Sequence, residues 1–440
     1  MTLALLAGVF ILLLMLRVPI AVAIGLAAFA ALLLELPPHT SAATLAQRVA
    51  VSGFSFTLIA IPLFILAGKL MASGGVARRL IDFARVAVGS WPGGLAVTNV
   101  LANMMFGSVS GSAAAAASGI GGFMIPAMAK ENYPRPYAAA LTATAATTGL
   151  LIPPSNVMLV YAVVAGGVSI SALFVAGYVP GLMLGLALMA LAALTSARHG
   201  HGERLPFAGW RALLSATAGV LPSAVLLVIV MGGIVSGLFT ATESSAVAVV
   251  YSAVLALAVY REIGWRDLPR LLAETAATTG MVFLLIGTSV CLAWIFAYAD
   301  VPGLIVGAFG VLVEHPWLLL LAINLVLLVV GTFMDITPAL LIFTPIFLPL
   351  ALLVAPEMGL TPEQMKYHFG IVLVFNLCLG LVTPPAGTTL FIAAGIAKVS
   401  LASMLRPMLP IMAISIAVLL FVTFVPATTL WLPRAFGLLP

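Results

Sequence analysis

The chain has 440 residues, of which 63% are hydrophobic and only 7% are charged. Soluble globular domains carry roughly 25% charged residues, so this composition excludes a soluble protein. Runs of about 18 or more apolar residues recur along the chain and predict a polytopic helical membrane protein. The net charge of +5 then reflects loops that set membrane orientation rather than nucleic-acid binding. Cys291 and Cys378 both lie in apolar runs, which predicts buried thiols rather than a disulfide or a metal site.

Ten apolar segments are predicted to span the membrane. The first segment has no positively charged start and no small-residue cleavage site before Arg17, so it is predicted to be a retained span rather than a signal peptide. The predicted spans are residues 2–16, 18–36, 52–70, 137–165, 172–196, 214–236, 243–260, 274–297, 367–397 and 407–425.

Two further apolar blocks, residues 91–129 and 316–354, are each interrupted by a polar turn. The first turn reads GSVSGS (107–112) and the second reads GTFMDITP (331–338). Each half-block has only about 14 to 17 residues, whereas a full crossing needs about 20. Both blocks are therefore predicted to be re-entrant helical hairpins that enter and leave the membrane on one face.

The distribution of positive charges tests this topology. With the N-terminus outside and each hairpin returning to its own side, all 18 Lys and Arg residues except Arg48, Lys366 and Arg434 fall inside. This asymmetry agrees with the positive-inside rule. A hairpin and two tightly paired full crossings have the same parity, so the rule leaves both alternatives open.

The spans at 137–165 and 367–397 each contain a Pro-Pro pair, in GLLIPPSN and GLVTPPAGT respectively. Such a pair removes two backbone donors and clashes with the preceding turn, so both helices are predicted to be discontinuous. The carbonyls that each break frees are tolerable at bilayer depth only where they line a polar cavity or coordinate an ion. Paired breaks at matching places in two halves indicate the substrate and ion site of a secondary transporter. The freed carbonyls belong to Thr148, Gly149, Gly380 and Leu381.

Each half of the chain follows the same order of three spans, a hairpin, a broken span and one more span. The second prolines of the two pairs, Pro154 and Pro385, are 231 residues apart, and the turn glycines Gly107 and Gly331 are 224 apart. Because the second half starts from the opposite face, the halves are predicted to be inverted repeats. The predicted division is residues 1–196, a cytoplasmic linker at 197–213, residues 214–425, and a C-terminal tail at 426–440.

Both hairpin turns are rich in oxygen-bearing residues. An alkali cation needs oxygen ligands rather than imidazole or thiolate, and half-helix N-termini present positive dipole ends to an anion. Asp335 lies between two apolar half-blocks, where a charge is costly and usually functional, with helix capping as the alternative. The GSVSG sequence is also a small-residue packing motif, so this alternative stays open.

Other polar features have simpler interpretations. Thr240 and Glu243 form the pattern of a helix capping box, with a functional role for Glu243 as the alternative. Asp300 is predicted to be solvated in an outer loop. Residues 72–88 are amphipathic, and an interfacial helix and an ordinary cytoplasmic connector remain equally open.

An intramembrane enzyme is the rival class. The sequence has no HExxH motif, no paired intramembrane aspartates and no Gly-x-Ser-Gly elbow with a histidine in a span. All five histidines lie in loops or at span ends, so a nucleophilic serine would lack a base. The chain is therefore predicted not to be an enzyme. A channel is also disfavoured, because two broken helices around two hairpins suit alternating access better than a permanent pore.

Five sequence blocks occur in order along essentially the whole chain. Together they resemble the large membrane (M) subunit of tripartite ATP-independent periplasmic (TRAP) transporters. The blocks are GSVSGSAAAAASGIGGFMIPAM, NYPRPYAAALTATAATTGLLIPPSNVMLVYA, GLFTATESSAVAVVY, GTFMDITPALLIFTPIFLPLA and GLVTPPAGTTLFIAAGIAKVS.

The resemblance implies an all-α, inverted-repeat carrier of the elevator type in the bacterial inner membrane. It implies symport driven by sodium as the coupling ion, without other cofactors, and import of an organic acid, typically a carboxylate. The implied partners are a periplasmic solute-binding protein and a separate small membrane subunit of about four helices. The alternative is a stand-alone sodium-coupled dicarboxylate symporter of related hairpin architecture.

The resemblance also implies two sodium sites, each formed by one hairpin turn and one helix break. PPSN offers a hydroxyl and an amide, whereas PPAGT offers glycine and threonines, so the two sites are not expected to be chemically equivalent. The first site comprises Ser108, Ser110, Gly111, Gly149, Pro153 and Ser155, and the second comprises Gly331, Met334, Asp335, Thr383, Gly387 and Thr388. The substrate carboxylate is expected between the turns, near Ser112, Thr337 or Thr389.

Overall fold

The computed structural model describes residues 2–52, 56–202, 209–308, 312, 314–384 and 387–439, and all regular structure in these ranges is helical. The first half contains α1 (Thr2–Met15), α2 (Ile20–Glu35), α3 (Pro38–Ser52), α4 (Ala60–Ser73), α5 (Val76–Val88), α6 (Gly94–Ser110), α7 (Ala113–Lys130), α8 (Arg135–Leu151), α9 (Asn156–Ala165) and α10 (Ile170–His199). The second half contains α11 (Trp210–Val235), α12 (Ala241–Val254), α13 (Leu268–Tyr298), α14 (Val301–Ala308), α15 (Pro316–Gly331), α16 (Ile336–Val354), α17 (Pro362–Gly380), α18 (Thr388–Ala397), α19 (Leu401–Phe424) and α20 (Ala427–Ala435).

Length and composition identify fewer spans than the ten predicted. Among the described residues, six helices are long and apolar enough to cross a membrane: α10, α11, α12 with its π-helical extension, α13, α16 and α19. Two bent pairs, α4 with α5 and α8 with α9, raise this number to eight if each pair is one span. Helices α1 and α2 are apolar but have only 14 and 16 residues, which is short for a straight crossing.

The predicted span at 52–70 corresponds to a 3-10 helix at Phe56–Ile59 that runs directly into α4. Helix α3 ends at Ser52 and α4 begins at Ala60, while residues 53–55 lie outside the described ranges. Helix α4 continues into α5 through a 68° bend. Helix α5 forms within the amphipathic segment, burying Leu80 and Ala84, and Asp82 on the same helix is exposed. Sequence analysis did not predict α3, because its mixed composition has neither an apolar run nor a clear helical period.

The predicted hairpin blocks each form two helices joined by a tight turn. Gly111 adopts a left-handed φ of +60°, and the Ser112 hydroxyl caps α7 by accepting from Ala115 N–H at 3.2 Å. Asp335 caps α16 by accepting from Ile336 N–H at 2.9 Å. Helices α6, α7, α15 and α16 have 17, 18, 16 and 19 residues, so α6 and α15 agree with the predicted lengths and α7 and α16 slightly exceed them. Length therefore does not distinguish a re-entrant hairpin from two crossings.

Both Pro-Pro segments interrupt helical structure. Helix α8 ends at Leu151 and α9 begins at Asn156, with a 49° bend between them. In the second half α17 ends at Gly380 and α18 begins at Thr388, while Pro385 and Ala386 lie outside the described residues. The lost backbone donors explain why neither helix passes through its proline pair.

The hairpins and the broken helices pack against one another. Helix α8 contacts α6, α7 and α18, and α9 contacts α16, while α17 contacts α15 and α16. From Tyr137 to Leu151 every residue of α8 is buried, so this helix is enclosed on all sides. A second group, in which α13 contacts α2, α3 and α4, lies beside it.

Several smaller predictions can be compared directly with the structure. Cys291 and Cys378 are free and buried, and the capping box of Thr240 and Glu243 is present with both of its hydrogen bonds. Asp300 is exposed, as predicted. The predicted linker is shortened, because α10 continues to His199 and α11 starts at Trp210, and residues 203–208 lie outside the described ranges. The C-terminal tail contains α20.

Candidate functional site: two hairpin turns against two helix breaks

Each hairpin contacts the broken helix of its own half through a pair of glycines. A Cβ added to Gly107 would lie 2.6 Å from Gly149 Cα, and one added to Gly331 would lie 3.0 Å from Gly380 Cα. These distances leave no room for a side chain, so α6 crosses α8 and α15 crosses α17 backbone to backbone. The contacts fix where each turn lies relative to its break.

In the first half the tip of the hairpin reaches the helix break itself. A Cβ on Gly111 would lie 3.2 Å from Asn156 Nδ2 and 3.6 Å from the Pro154 carbonyl oxygen. On another side, Gly68 of α4 packs so closely on the Ser110 carbonyl that no Cβ fits. The predicted residue Gly111 is thus brought to the first Pro-Pro segment, and Ser110 precedes it with its carbonyl against α4.

The first break contains oxygen atoms without a hydrogen-bond partner. Ser155 Oγ and Asn156 Oδ1 are both buried, and neither has a partner among the described residues. Ser108 donates to the Met105 carbonyl at 2.8 Å, and Ser110 donates to the Ser112 carbonyl at 3.4 Å. Unpaired buried oxygens are rare and need an explanation, such as an ion or a water. Oxygen is also the donor type that an alkali cation takes.

In the described part of the second break, which omits residues 385 and 386, two threonine hydroxyls are hydrogen-bonded. Thr389 is fully buried and donates to the Leu381 carbonyl at 2.8 Å, and Thr383 donates to the Leu379 carbonyl at 2.7 Å. Gly387 is buried, and a Cβ there would lie 2.6 Å from the Leu381 oxygen. Thr388 is exposed. The hydroxyl of Thr389, predicted to contact substrate, is therefore engaged in closing the break.

The second turn combines buried and exposed groups. Gly331 is buried, and Met334 and Thr337 are half-buried. Asp335 is exposed, and its carboxylate accepts the capping hydrogen bond from Ile336 N–H. The structure thus places Asp335 as a helix cap, and its role in ion binding stays a prediction.

Most of the carbonyl oxygens predicted to lack a hydrogen-bond partner at the breaks do accept a hydrogen bond. The Thr148 oxygen accepts from Ile152 N–H at 3.2 Å, and the Gly380 oxygen accepts from Thr383 N–H at 3.1 Å. The Leu381 oxygen accepts from the Thr389 hydroxyl. Three of the four carbonyls therefore have a protein partner, although each retains a second lone pair.

Sequence analysis missed buried asparagines that join each hairpin to its broken helix. In the first half, Asn99 of α6 donates to Thr142 of α8 at 2.8 Å, and Asn103 donates to Asn99 Oδ1 at 2.9 Å. In the second half, Asn376 of α17 donates to Asn324 Oδ1 of α15 at 2.7 Å. Asparagine in an apolar segment is costly unless paired, so its presence there was the available signal.

His368 was also misjudged from the sequence. It was placed at a span end, but it is only 1% exposed. Its Nε2 lies 3.1 Å from the Thr423 carbonyl and its Nδ1 lies 2.9 Å from the Thr429 hydroxyl. Because the carbonyl can only accept, Nε2 carries a proton. His368 thereby ties α17 to the C-terminal helices.

With this geometry described, comparison with known proteins identifies the family. The family profile described as "Tripartite ATP-independent periplasmic transporter, DctM component" matches residues 7–428. The chain belongs to this family. It is 46% identical over 432 residues to the uncharacterized protein YgiK of Salmonella typhimurium, covering 98% of this chain and 97% of that protein. It is 40% identical over 398 residues to the C4-dicarboxylate TRAP transporter large permease protein DctM of Pseudomonas aeruginosa, covering 90% and 91%.

A solved structure supports the fold. The YdaH transporter of Alcanivorax borkumensis aligns with a TM-score of 0.61, covering 90% of this chain and 89% of that chain. The sequence identity is 16%, so this likeness concerns the fold alone.

Family membership confirms the resemblance seen in the sequence and its consequences for class and location. DctM components are transporter permeases, which favours a transporter over an enzyme. TRAP permeases are inner-membrane proteins, and the long apolar helices agree with that location. The chain is an inner-membrane TRAP large permease.

Proposed function

We propose that this chain is the translocating subunit of a sodium-driven symporter that imports an organic acid. The observation that carries the proposal is the contact between the first hairpin tip and the first helix break, where Ser155 Oγ and Asn156 Oδ1 are buried without partners. Family membership supplies ATP-independent transport. The relative from Pseudomonas aeruginosa is named for C4-dicarboxylates, which supports an organic acid as the class of substrate.

The first sodium ion would be held at this tip. Ser155 Oγ is available, the Pro154 carbonyl lies at the contact with Gly111, and the Ser110 carbonyl lies on the side of the tip that faces α4. Gly111, Gly149 and Pro153 have no side-chain ligand for the ion. They would act through the backbone conformations that glycine permits and proline imposes. The second sodium ion would lie between Asp335 and the second break. The hydroxyl oxygens of Thr383 and Thr388 would be its ligands.

The substrate carboxylate would lie between the two turns. The N-terminal ends of α7 and α16 begin at the turns, and the first-turn N–H groups beyond those that Ser112 and Asp335 cap would favour an anion. Thr389 donates its hydroxyl proton to the Leu381 carbonyl, whereas Ser112 only accepts in its cap and keeps its proton. Ser112 and Thr337, both half-buried, are therefore the hydroxyls that we favour for substrate contact.

The hairpins and broken helices would move together past the remaining helices. Their mutual packing, and the grouping of α2, α3 and α4 around α13, support two bodies of this kind, which contact each other where α13 packs against α16 and α4 against α6. A cavity of about 380 Å³ lies between them, lined by residues that include Val164, Phe296 and Thr344. The same proposal treats the two halves as inverted repeats and the hairpins as re-entrant, so that each tip ends at mid-membrane.

TRAP large permeases work with a small membrane subunit and a periplasmic binding protein, and we propose both partners for this chain. The small subunit would be a separate four-helix polypeptide. The binding protein would select the organic acid.

The test is uptake of the binding protein's organic acid into proteoliposomes that contain both membrane subunits. We expect uptake only with the binding protein present and with a sodium gradient directed inward. A potassium gradient of equal size is the matched control for membrane potential and osmotic effects. Undiminished uptake without sodium would contradict the coupling, and undiminished uptake without partners would favour a stand-alone symporter.

A further inference from the structure

Two basic residues make equivalent hydrogen bonds between the halves of the chain. Arg135 Nη1 donates to the Ala397 carbonyl at 3.4 Å, and Lys366 Nζ donates to the Gly166 carbonyl at 3.0 Å. The two donors are 231 residues apart in the sequence, and so are the two acceptors. The same offset separates Pro154 from Pro385. The two bonds are therefore the same contact made once by each half.

The contacts join the start of one broken helix to the end of the other. Arg135 is the first residue of α8, and Ala397 is the last residue of α18. Lys366 lies near the start of α17, and Gly166 directly follows α9. Since α8 and α9 run from Arg135 to Gly166, the two contacts lie at opposite ends of the paired broken helices. We call them the Arg135 end and the Lys366 end.

Helix electrostatics explains why cations occupy these positions. The last carbonyls of a helix have no intrahelical N–H partner and carry partial negative charge, so a cation stabilises them. A cation in the first turn of its own helix is unfavourable for the same reason. Arg135 occupies such a position in α8. Its placement is accounted for by the C-terminus of α18.

We propose that Arg135 and Lys366 are positioning residues that clamp the two broken helices into one unit, keeping the two breaks in register during transport. The inference deepens the proposed function and rests on it, because both breaks would contribute to one ion and substrate site. A broken helix lacks the continuous hydrogen-bond ladder that would otherwise hold its second half in place. Bonds from the opposite repeat supply that restraint.

The two ends differ in the number of additional hydrogen bonds that join the halves. At the Lys366 end, Tyr161 donates to the Lys366 carbonyl at 2.6 Å, and Ser169 N–H donates to the Tyr367 hydroxyl at 2.9 Å. At the Arg135 end the residues at the equivalent positions are Ile392 and Pro136, which have no side-chain donor. Loss of the Arg135 side chain should therefore have the larger effect.

The experiment compares Arg135→Met, Arg135→Lys, Lys366→Met and a matched control, Arg406→Met. Met retains an unbranched stem but has no donor and no charge, and Lys restores both. Arg406 is exposed, and the described structure gives it no hydrogen bond. Each variant is assembled with its partner subunit and binding protein. Uptake is measured in proteoliposomes and amide hydrogen exchange in the purified complex.

Arg135→Met should speed exchange of the Lys398 and Val399 amides, which cap α18, by about tenfold, the scale set by loss of a hydrogen bond to a charged donor. Exchange at 163–170 should stay unchanged in that variant, and uptake should fall several-fold. Arg135→Lys should recover most of both, and Lys366→Met should show a smaller loss of uptake.

Two results would overturn the clamp. One is Arg135→Met behaving like Arg406→Met in both exchange and uptake. The other is Arg135→Lys failing as completely as Arg135→Met, because a donor and a charge would then not be what matters. Wild-type complex that takes up no organic acid would instead count against the proposed function. The exchange measurement tests the clamp in that case as well, since it does not depend on transport.

Discussion

At the scale of single residues, Asp335 has one role that is observed and one that is proposed. Its carboxylate caps α16 by accepting from Ile336 N–H. In the proposed function the same carboxylate is also a ligand of a sodium ion. Asn and Asp cap helices about equally well, whereas Ala costs about 1 kcal/mol. We therefore expect Asp335→Asn to reduce transport but keep stability, and Asp335→Ala to reduce both.

Sodium-dependent uptake and thermal unfolding in detergent measure these two effects separately. Both variants should raise the sodium concentration at half-maximal uptake, and only Asp335→Ala should unfold at a lower temperature. Asp300→Asn is the matched control, because Asp300 is an exposed aspartate that also accepts from a backbone N–H, that of Gly303 at 3.3 Å. Wild-type uptake by Asp335→Asn would leave capping as the role of this residue.

At the scale of elements, the crossing of each hairpin over its broken helix depends on glycine. A Cβ on Gly107 would lie 2.6 Å from backbone of α8, whereas one on Gly331 would lie 3.0 Å from backbone of α17. Backbone cannot move aside as a flexible side chain can, and overpacking typically costs about 1–3 kcal/mol. We expect Gly107→Ala to destabilise the protein and impair uptake, and Gly331→Ala to do so less.

Two other helical glycines are controls for this prediction. A Cβ on Gly122 of α7 or on Gly395 of α18 would meet no atom within 4 Å. Ala at these positions should be neutral or stabilising by up to about 1 kcal/mol, because Ala is the better helix former. The measurements are melting temperature and uptake rate. Equal melting temperatures for Gly107→Ala and Gly122→Ala would show that the crossing tolerates a side chain.

The elements also show what local sequence can and cannot predict. The two breaks were predictable because Pro-Pro excludes a helix whatever surrounds it. Helix α3 was missed because it lacks an apolar run, and the second hairpin arms α7 and α16 were predicted slightly too short because the polar turns before them occupy only two and four residues. Helix boundaries depend on capping and packing, which a hydropathy pattern does not contain.

Within the candidate site, the sequence predicts which residues carry oxygen ligands, but it does not predict which residues contact one another. Ser110 and Ser155 could be proposed from their oxygen atoms and their positions in interrupted helices. The approach of Gly107 to Gly149, and the bond from Arg135 to Ala397, join residues 42 and 262 positions apart. Such pairs are set by how whole helices pack, so one sequence without its fold does not reveal them.

At the scale of the whole molecule, the inverted arrangement of the two halves is the prediction on which the mechanism depends. A background without Cys291 and Cys378, both buried and free, allows single cysteines to be introduced at exposed positions. We expect a cysteine at Asn132 to react with a membrane-impermeant maleimide only from the cytoplasmic side. A cysteine at Glu357 should react only from the periplasmic side.

The hairpin tips decide between re-entrant hairpins and paired crossings. Two full crossings would carry the tip at Ser112 to the periplasmic face and the tip at Phe333 to the cytoplasmic face, so each would be labelled like an open loop from the side opposite its flanks. Tips at mid-membrane should react slowly, and saturating sodium with substrate should slow them further, because the ligands would cover them. Labelling of both tips at loop rates from the far side would exclude re-entrant hairpins. Labelling of Asn132 and Glu357 from the same face would exclude the inverted repeat itself, since the hairpins would then enter from one side and could not enclose a common site.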